Sequence, residues 1–155
     1  MSTPVIDAPE NTAKHLETRT QRSNVGSLAM RLAGVAALGG IVWVHALDLS
    51  GKLEEVPYLG VGYILLIIGA VASAMALLVP NPRLNRAGWA LGGMLALGTM
   101  IGFTLTRTTG LPQATDDKGN WGEALGVWSL ICEGVFVMLS VVALRSQRQV
   151  RAAIA

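Results

Sequence analysis

A carboxyl group in the middle of an apolar run is the first feature of this sequence that could do chemistry. Glu133 lies about twelve residues into the stretch from Trp121 to Leu144, roughly 18 Å from its start if that stretch is helical. A charged carboxylate at such depth in a bilayer costs several kcal/mol unless it is paired, so it is either protonated or facing a partner. Helical steps back along the chain place Ser129, Gly126 and Gly122 on the same face. That small, polar stripe should point inward. Two readings follow: a proton- or ion-binding group, or a neutral carboxyl hydrogen-bonded to Ser73, Thr99 or a backbone carbonyl. No basic residue sits at matching depth, which favours the neutral state.

The other polar groups with chemical potential gather near the same end of the apolar runs. His45 is expected at the outer end of the first run as an interfacial hydrogen-bonding group, with metal or haem ligation as the alternatives. The other histidine, His15, falls in the N-terminal tail, so a bis-histidine haem within one chain is excluded. Arg107 ends the third run, where its guanidinium could meet Glu123 or Asp116 and pin the following loop. Asp48, Glu54, Glu55, Asp116, Asp117 and Glu123 could supply oxygen ligands to a hard cation, but their spacing matches no calcium loop. No metal site and no cofactor are expected. Cys132, the single cysteine, reads as a small buried hydrophobe. The sequence has no GxSxG elbow, Walker loop, HExxH or Ser/Lys pair placed for catalysis, so an enzyme is not expected.

These groups must be positioned by elements solvated by something other than water. Of 155 residues, 52% are hydrophobic and only 14% charged, against about 25% charged in a soluble domain. The mean hydropathy is +0.49. The net charge is only +2 and the basic residues cluster at certain loops, which marks topology rather than a nucleic-acid surface. Four apolar runs reach the roughly 20 residues needed to cross a hydrocarbon core of about 30 Å. They cover about 26–47, 58–79, 87–106 and 121–144. A backbone exposed to lipid must satisfy its hydrogen bonds within the segment, so each run is expected to be helical. The fold class is therefore all-α: an antiparallel bundle of four transmembrane helices in one domain, 26–145. Residues 1–25 read as a disordered tail and 146–155 as a basic tail. DLSGKLEEVPY forms a first loop and PNPRLNRAG a tight turn. The loop from Arg107 to Asn120 carries Gly110-Leu111-Pro112, expected to make an ordered structural turn at Gly110 and Pro112.

Orientation follows from charge. Nine basic residues fall with the tails and the second loop, against Lys52, Arg107 and Lys118 in the other two loops. The positive-inside rule puts both termini in the cytoplasm of a multi-pass plasma-membrane protein. Small residues four apart (Ala36/Gly40, Gly69/Ser73, Gly88/Gly92, Gly98/Gly102 and Gly122/Gly126) are expected to let helices approach closely. The second and third helices should form the tightest hairpin.

The run TRTTGLPQATDDKGNWGEALGVWSLICE resembles a segment of uncharacterised small four-helix integral membrane proteins of actinobacteria. Their pattern is roughly S/T-R-T-x-G-L-P, a short acidic loop, then W-x-E-x-x-G-x-x-S-L-x-x-E. The stretch from His45 to Gly60 resembles their first outer loop. Ala124 stands where that pattern has proline. The resemblance spans the four-helix layout and implies a candidate site of Glu133, Arg107, Glu123, His45 and Trp121, with Gly110 and Pro112 shaping the loop; it names no activity. Asp116 and Asp117 join this set from the acidic outer side.

The expected function is a non-catalytic membrane module or accessory subunit with an ordered outer loop. It would sit in the lipid bilayer with a membrane-protein partner or as a homo-oligomer, and bind no nucleic acid. The alternative is a small ion- or proton-coupled transporter or ion-binding protein using Glu133.

Overall fold

The computed structural model describes residues 8–152, with side-chain surroundings for 27–149 and 152. Four helices follow one another: α1 (Ala8–Glu55), α2 (Pro57–Leu78), α3 (Pro82–Arg107) and α4 (Ala124–Ala152). All four contain segments long and apolar enough to cross a membrane, at Ser27–Glu55, Pro57–Leu78, Pro82–Arg107 and Ala124–Gln149. Among the described residues there is no strand; a single isolated bridge joins Leu111 and Ala114 inside the last loop.

The helix ends differ from the sequence expectation in instructive ways. The expected first loop is helical: α1 runs on through DLSGKLEE and stops only at Val56, the residue before Pro57. Proline disfavours helical geometry in its predecessor, and Val56 sits at φ −141° and ψ 76°. Gly51 alone does not break the helix, and Lys52 sits 3.6 Å from Glu55 one turn on. At the other end α1 reaches back to Ala8, over residues whose polarity alone suggested disorder. Once the apolar span has nucleated the helix, each further residue without Pro or Gly adds a backbone hydrogen bond at little cost. Residues 1–7 and 153–155 of the two expected tails lie outside the described residues. The third helix starts at Pro82, five residues early. Asn81 caps it by accepting from the amides of Arg83 (2.9 Å) and Leu84 (3.3 Å), and Pro82 occupies the first turn. Trp121 and Glu123 precede α4 rather than open it.

Contacts run α1–α2, α2–α3, α3–α4 and α4–α1, closing a four-helix ring. Leu53 meets Gly60 and Gly34 meets Leu77, so α1 and α2 run in opposite directions. Gly69 meets Leu95 while Gly88 meets Ser73, which sets α2 against α3 likewise. The most extensive contact is α1 on α2, not the expected α2–α3 hairpin, because one extended residue joins the former pair.

The core sits at the tail end and middle of the ring. Trp89 and Phe136 stack at 5.3 Å between centroids, both fully buried with Leu38, Ile41 and Leu77. Two glycines allow this: a Cβ at Gly92 would stand 2.6 Å from Phe136 Cε1, and one at Gly88 2.9 Å from the Ser73 carbonyl oxygen. Lipid offers helices no hydrophobic gain on association, so such close packing supplies it. Ser140 donates to the Trp89 carbonyl at 2.7 Å, Asn85 to the Leu77 carbonyl at 3.3 Å, and Gln147 to Asn85 at 3.1 Å. These bonds tie the ends of α2, α3 and α4 together. By contrast, a Cβ at Gly98, Gly102 or Gly122 would meet nothing within 4 Å. Those three do not pack helices; at the first two the bundle is open.

Candidate functional site

The opening is a cavity of about 230 Å³ at the end of the bundle where the long loop crosses. Each helix contributes polar groups at a register set by its own pattern. α1 supplies His45, Asp48 and Lys52; α2 supplies Tyr63; α3 supplies Thr99, Thr106 and Arg107; the loop and α4 supply Asp117, Glu123, Ser129 and Glu133.

Glu133 forms the floor, 1% exposed. Because α4 begins at Ala124, the carboxyl lies nine residues into the helix, about 14 Å from its start. Ser129 donates to Glu133 Oε1 at 2.8 Å across one helical turn, which is the inward stripe expected from the spacing. The other expected partners are elsewhere. Ser73 donates to the Gly69 carbonyl at 2.8 Å, and Thr99 to the carbonyls of Ala96 (2.9 Å) and Leu95 (3.1 Å). Both serve their own helix, as hydroxyls in mid-helix commonly do.

His45 is buried inside the bundle. The extension of α1 to Glu55 places it ten residues inside the helix end, and it is 5% exposed. Its Nδ1 lies 2.9 Å from the Ile41 carbonyl oxygen. A carbonyl can only accept, so Nδ1 carries the hydrogen and Nε2 is directed elsewhere. Nε2 stands 3.8 Å from Glu133 Oε1, beyond hydrogen-bond length. Tyr63 meets the imidazole edge-on at 4.6 Å and donates its hydroxyl to Asp48 at 3.3 Å.

At the mouth Arg107, 5% exposed, is held by two carboxylates: Asp117 at 2.9 Å on one guanidinium nitrogen and Glu123 on the other. Its guanidinium also lies 4.7 Å from the centre of the Phe103 ring. Its Nε is buried without a hydrogen-bond partner among the described residues. The contact with Glu123 matches the sequence expectation; that with Asp117 replaces the one expected with Asp116, which is exposed and does not line the cavity. Lys52, 12% exposed at the side chain, lies 3.6 Å from Asp117 and from Glu55, linking α1 to the loop.

The loop itself is ordered by backbone geometry. Gly110 takes φ +78° and donates to the Leu105 carbonyl, ending α3 in the left-handed way that glycine permits. Gly119 donates to the Arg107 carbonyl at 2.9 Å, and Tyr58 donates its hydroxyl to the Pro112 carbonyl at 2.7 Å. Trp121, half-exposed, packs edge-on against Phe103 at 6.1 Å and so covers the cavity wall without lining it.

Of the residues singled out from sequence, Glu133, His45, Arg107, Glu123 and Asp117 border one cavity; Asp116, Trp121, Gly110 and Pro112 do not. Sequence reasoning missed Tyr63 and Lys52. Lys52 looked like a loop charge, and Tyr63 carried no signal beyond falling, like His45, on a helix near the acidic end. Among the described residues no cluster of three or more His, Cys, Asp or Glu side chains could hold a metal ion. Comparisons with protein-family models, curated proteins and solved structures give no match to this chain.

Proposed function

We propose that this chain is a multi-pass plasma-membrane protein, with both termini cytoplasmic, that binds a cation or a proton at Glu133. Access would come from the outer side, past Arg107 and Glu123. The single observation that supports this is that Glu133, though 1% exposed, borders a cavity instead of being sealed by packing. A purely structural carboxyl would be enclosed on all sides, because interiors close-pack around groups that need no access. Four helices leave a narrow path through one copy, so a transporting form would be a homo-oligomer. The layout and motif also fit the actinobacterial four-helix proteins that the loop resembles.

The test is infrared difference spectroscopy of the purified protein against Glu133→Gln. On this proposal the Glu133 carboxyl band shifts with pH or with added cations. A band indifferent to both would mean a structural hydrogen bond and end the proposal.

An accessory-subunit role is the second reading, favoured by the loop's fixed shape through Tyr58, Gly110 and Gly119. A stoichiometric membrane partner on purification would support it.

A further inference from the structure

The ligand class can be narrowed by asking which hydrogens in the cavity are already committed, and this rests on the proposal that Glu133 binds a cation. Around the floor, the side-chain hydrogen-bond donors of the described residues are spent. Ser129 donates to Glu133 itself, Thr99 to carbonyls of α3, Thr106 to the Phe103 carbonyl, Tyr63 to Asp48, and the His45 Nδ1 hydrogen to the Ile41 carbonyl. What faces the space is acceptor capacity. Glu133 and His45, both more than nine-tenths buried as residues, line this space. Among the described residues the hydrogen bonds of their side chains engage only Glu133 Oε1 and His45 Nδ1, which leaves Glu133 Oε2 and His45 Nε2 to meet a ligand. The buried side-chain atom left without a partner among the described residues, Arg107 Nε, is at the mouth and away from this floor. A group that donates several hydrogens would meet Glu133 Oε2 and His45 Nε2 together.

Charge points the same way. Residues bordering the cavity carry four carboxyl groups, Asp48, Asp117, Glu123 and Glu133, against two fixed cations, Lys52 and Arg107. Both cations stand at the mouth and are engaged by carboxylates. A narrow, net acidic cleft with apolar walls concentrates cations.

The remaining walls exclude a bare inorganic ion as the best fit. Val44, Leu59, Phe103 and Leu125 are apolar, and between α2 and α3 the wall is bare backbone at Gly62, Gly98 and Gly102. The floor offers one carboxyl and one imidazole, too few ligands for a divalent cation that takes six or more oxygens. The volume, about 230 Å³, is below the roughly 300 Å³ at which drug-sized pockets begin.

We infer that the cavity binds a small primary alkylammonium, its N–H groups donating to Glu133 and His45 and its apolar body lying against Phe103 and the glycine wall. The Ile41 carbonyl takes the Nδ1 hydrogen of His45, which leaves Nε2 to meet the ammonium.

The experiment titrates n-butylammonium, n-butyltrimethylammonium and potassium chloride into the full-length protein in nanodiscs. Binding is read by calorimetry and by the Glu133 carboxyl band. The two organic cations share charge and chain but only the first has N–H donors. n-Butylammonium should bind saturably and shift the band. The trimethyl analogue should bind about ten- to a hundredfold more weakly, the value of hydrogen bonds to charged groups. Glu133→Gln should abolish the difference between the two. Should that variant fail to fold, Gly98→Val is the second variant, because a Cβ there meets nothing within 4 Å and only narrows the cavity; it should weaken n-butylammonium binding. Equal binding of the two organic cations would overturn the alkylammonium inference. So would a band that moves only with potassium or pH, which would leave cation or proton binding at Glu133 standing. A band that responds to nothing would overturn both.

Discussion

Replacing Arg107 with methionine removes a guanidinium that is 4% exposed at the side chain and held by Asp117 and Glu123, while keeping most of the apolar stem over Phe103. Breaking one side of a fully buried ion pair costs about 3–5 kcal/mol, because the abandoned charge stays out of water. Here the abandoned carboxylates are 22% and 30% exposed, so water recovers part of their solvation. Lys52, 3.6 Å from Asp117, recovers a little more. About 2 kcal/mol is the resulting loss. It falls on the loop over 108–123 and not on the helices, since the core around Trp89 and Phe136 includes neither Arg107 nor any residue of that loop. A cost of about 2 kcal/mol raises the population of the loop-open form about thirtyfold. Limited trypsin digestion reports that population at Lys118, an exposed residue on the loop, with the cut mapped by mass spectrometry. The double variant with Glu123→Gln should lose less than the sum of the two single variants, because the partners share one interaction. Cleavage at Lys118 within about twofold of the unmodified protein would refute the assignment, since a free-energy loss below about 0.5 kcal/mol is the surface value. Strict additivity with Glu123→Gln would refute it equally.

Two further outcomes test the scaffold. Gly34→Ala should destabilise the purified protein by about 1–3 kcal/mol, because its Cβ would stand 2.5 Å from Trp89 Cη2, a ring pinned by Phe136. Gly39→Ala, where a Cβ meets nothing within 4 Å, should be neutral in the same thermal unfolding measurement. Asn81→Ala should cost about 1 kcal/mol by removing the cap that accepts from Arg83 and Leu84, and hydrogen exchange of those two amides should rise with it.

Much of this protein is a consequence of its sequence by short-range physics. Four stretches of low charge and sufficient length must be helical in a bilayer because the backbone has no other partner there, and four such helices are what the structure contains. The inward face of α4, with Ser129 one turn from Glu133, follows from the helical repeat, and the place of Arg107 at the end of the third run points it at a carboxylate such as Glu123 across the loop. Pro57 marks a helix start by local stereochemistry, whereas PNPRLNRAG, read as a turn, opens α3 already at Pro82.

What only the tertiary structure decided concerns distance between helices. The sequence reads His45 as standing near the end of its helix; the helix runs eight residues beyond Leu47, and the packing of α1 on α4 sets His45 beside Glu133. Spacing of small residues could not say which glycines would meet a neighbour. Gly88 and Gly92 do, whereas Gly98 and Gly102 face open space, since contact depends on how far the facing helix leans. Nor could spacing show where each hydroxyl would spend its hydrogen. Thr99 and Ser73 turned to their own carbonyls and Ser129 to Glu133, a choice made by the room left on each face. The cavity belongs to no segment of the chain. It is the volume that four helices and a pinned loop fail to fill, so it exists only once all of them are in place.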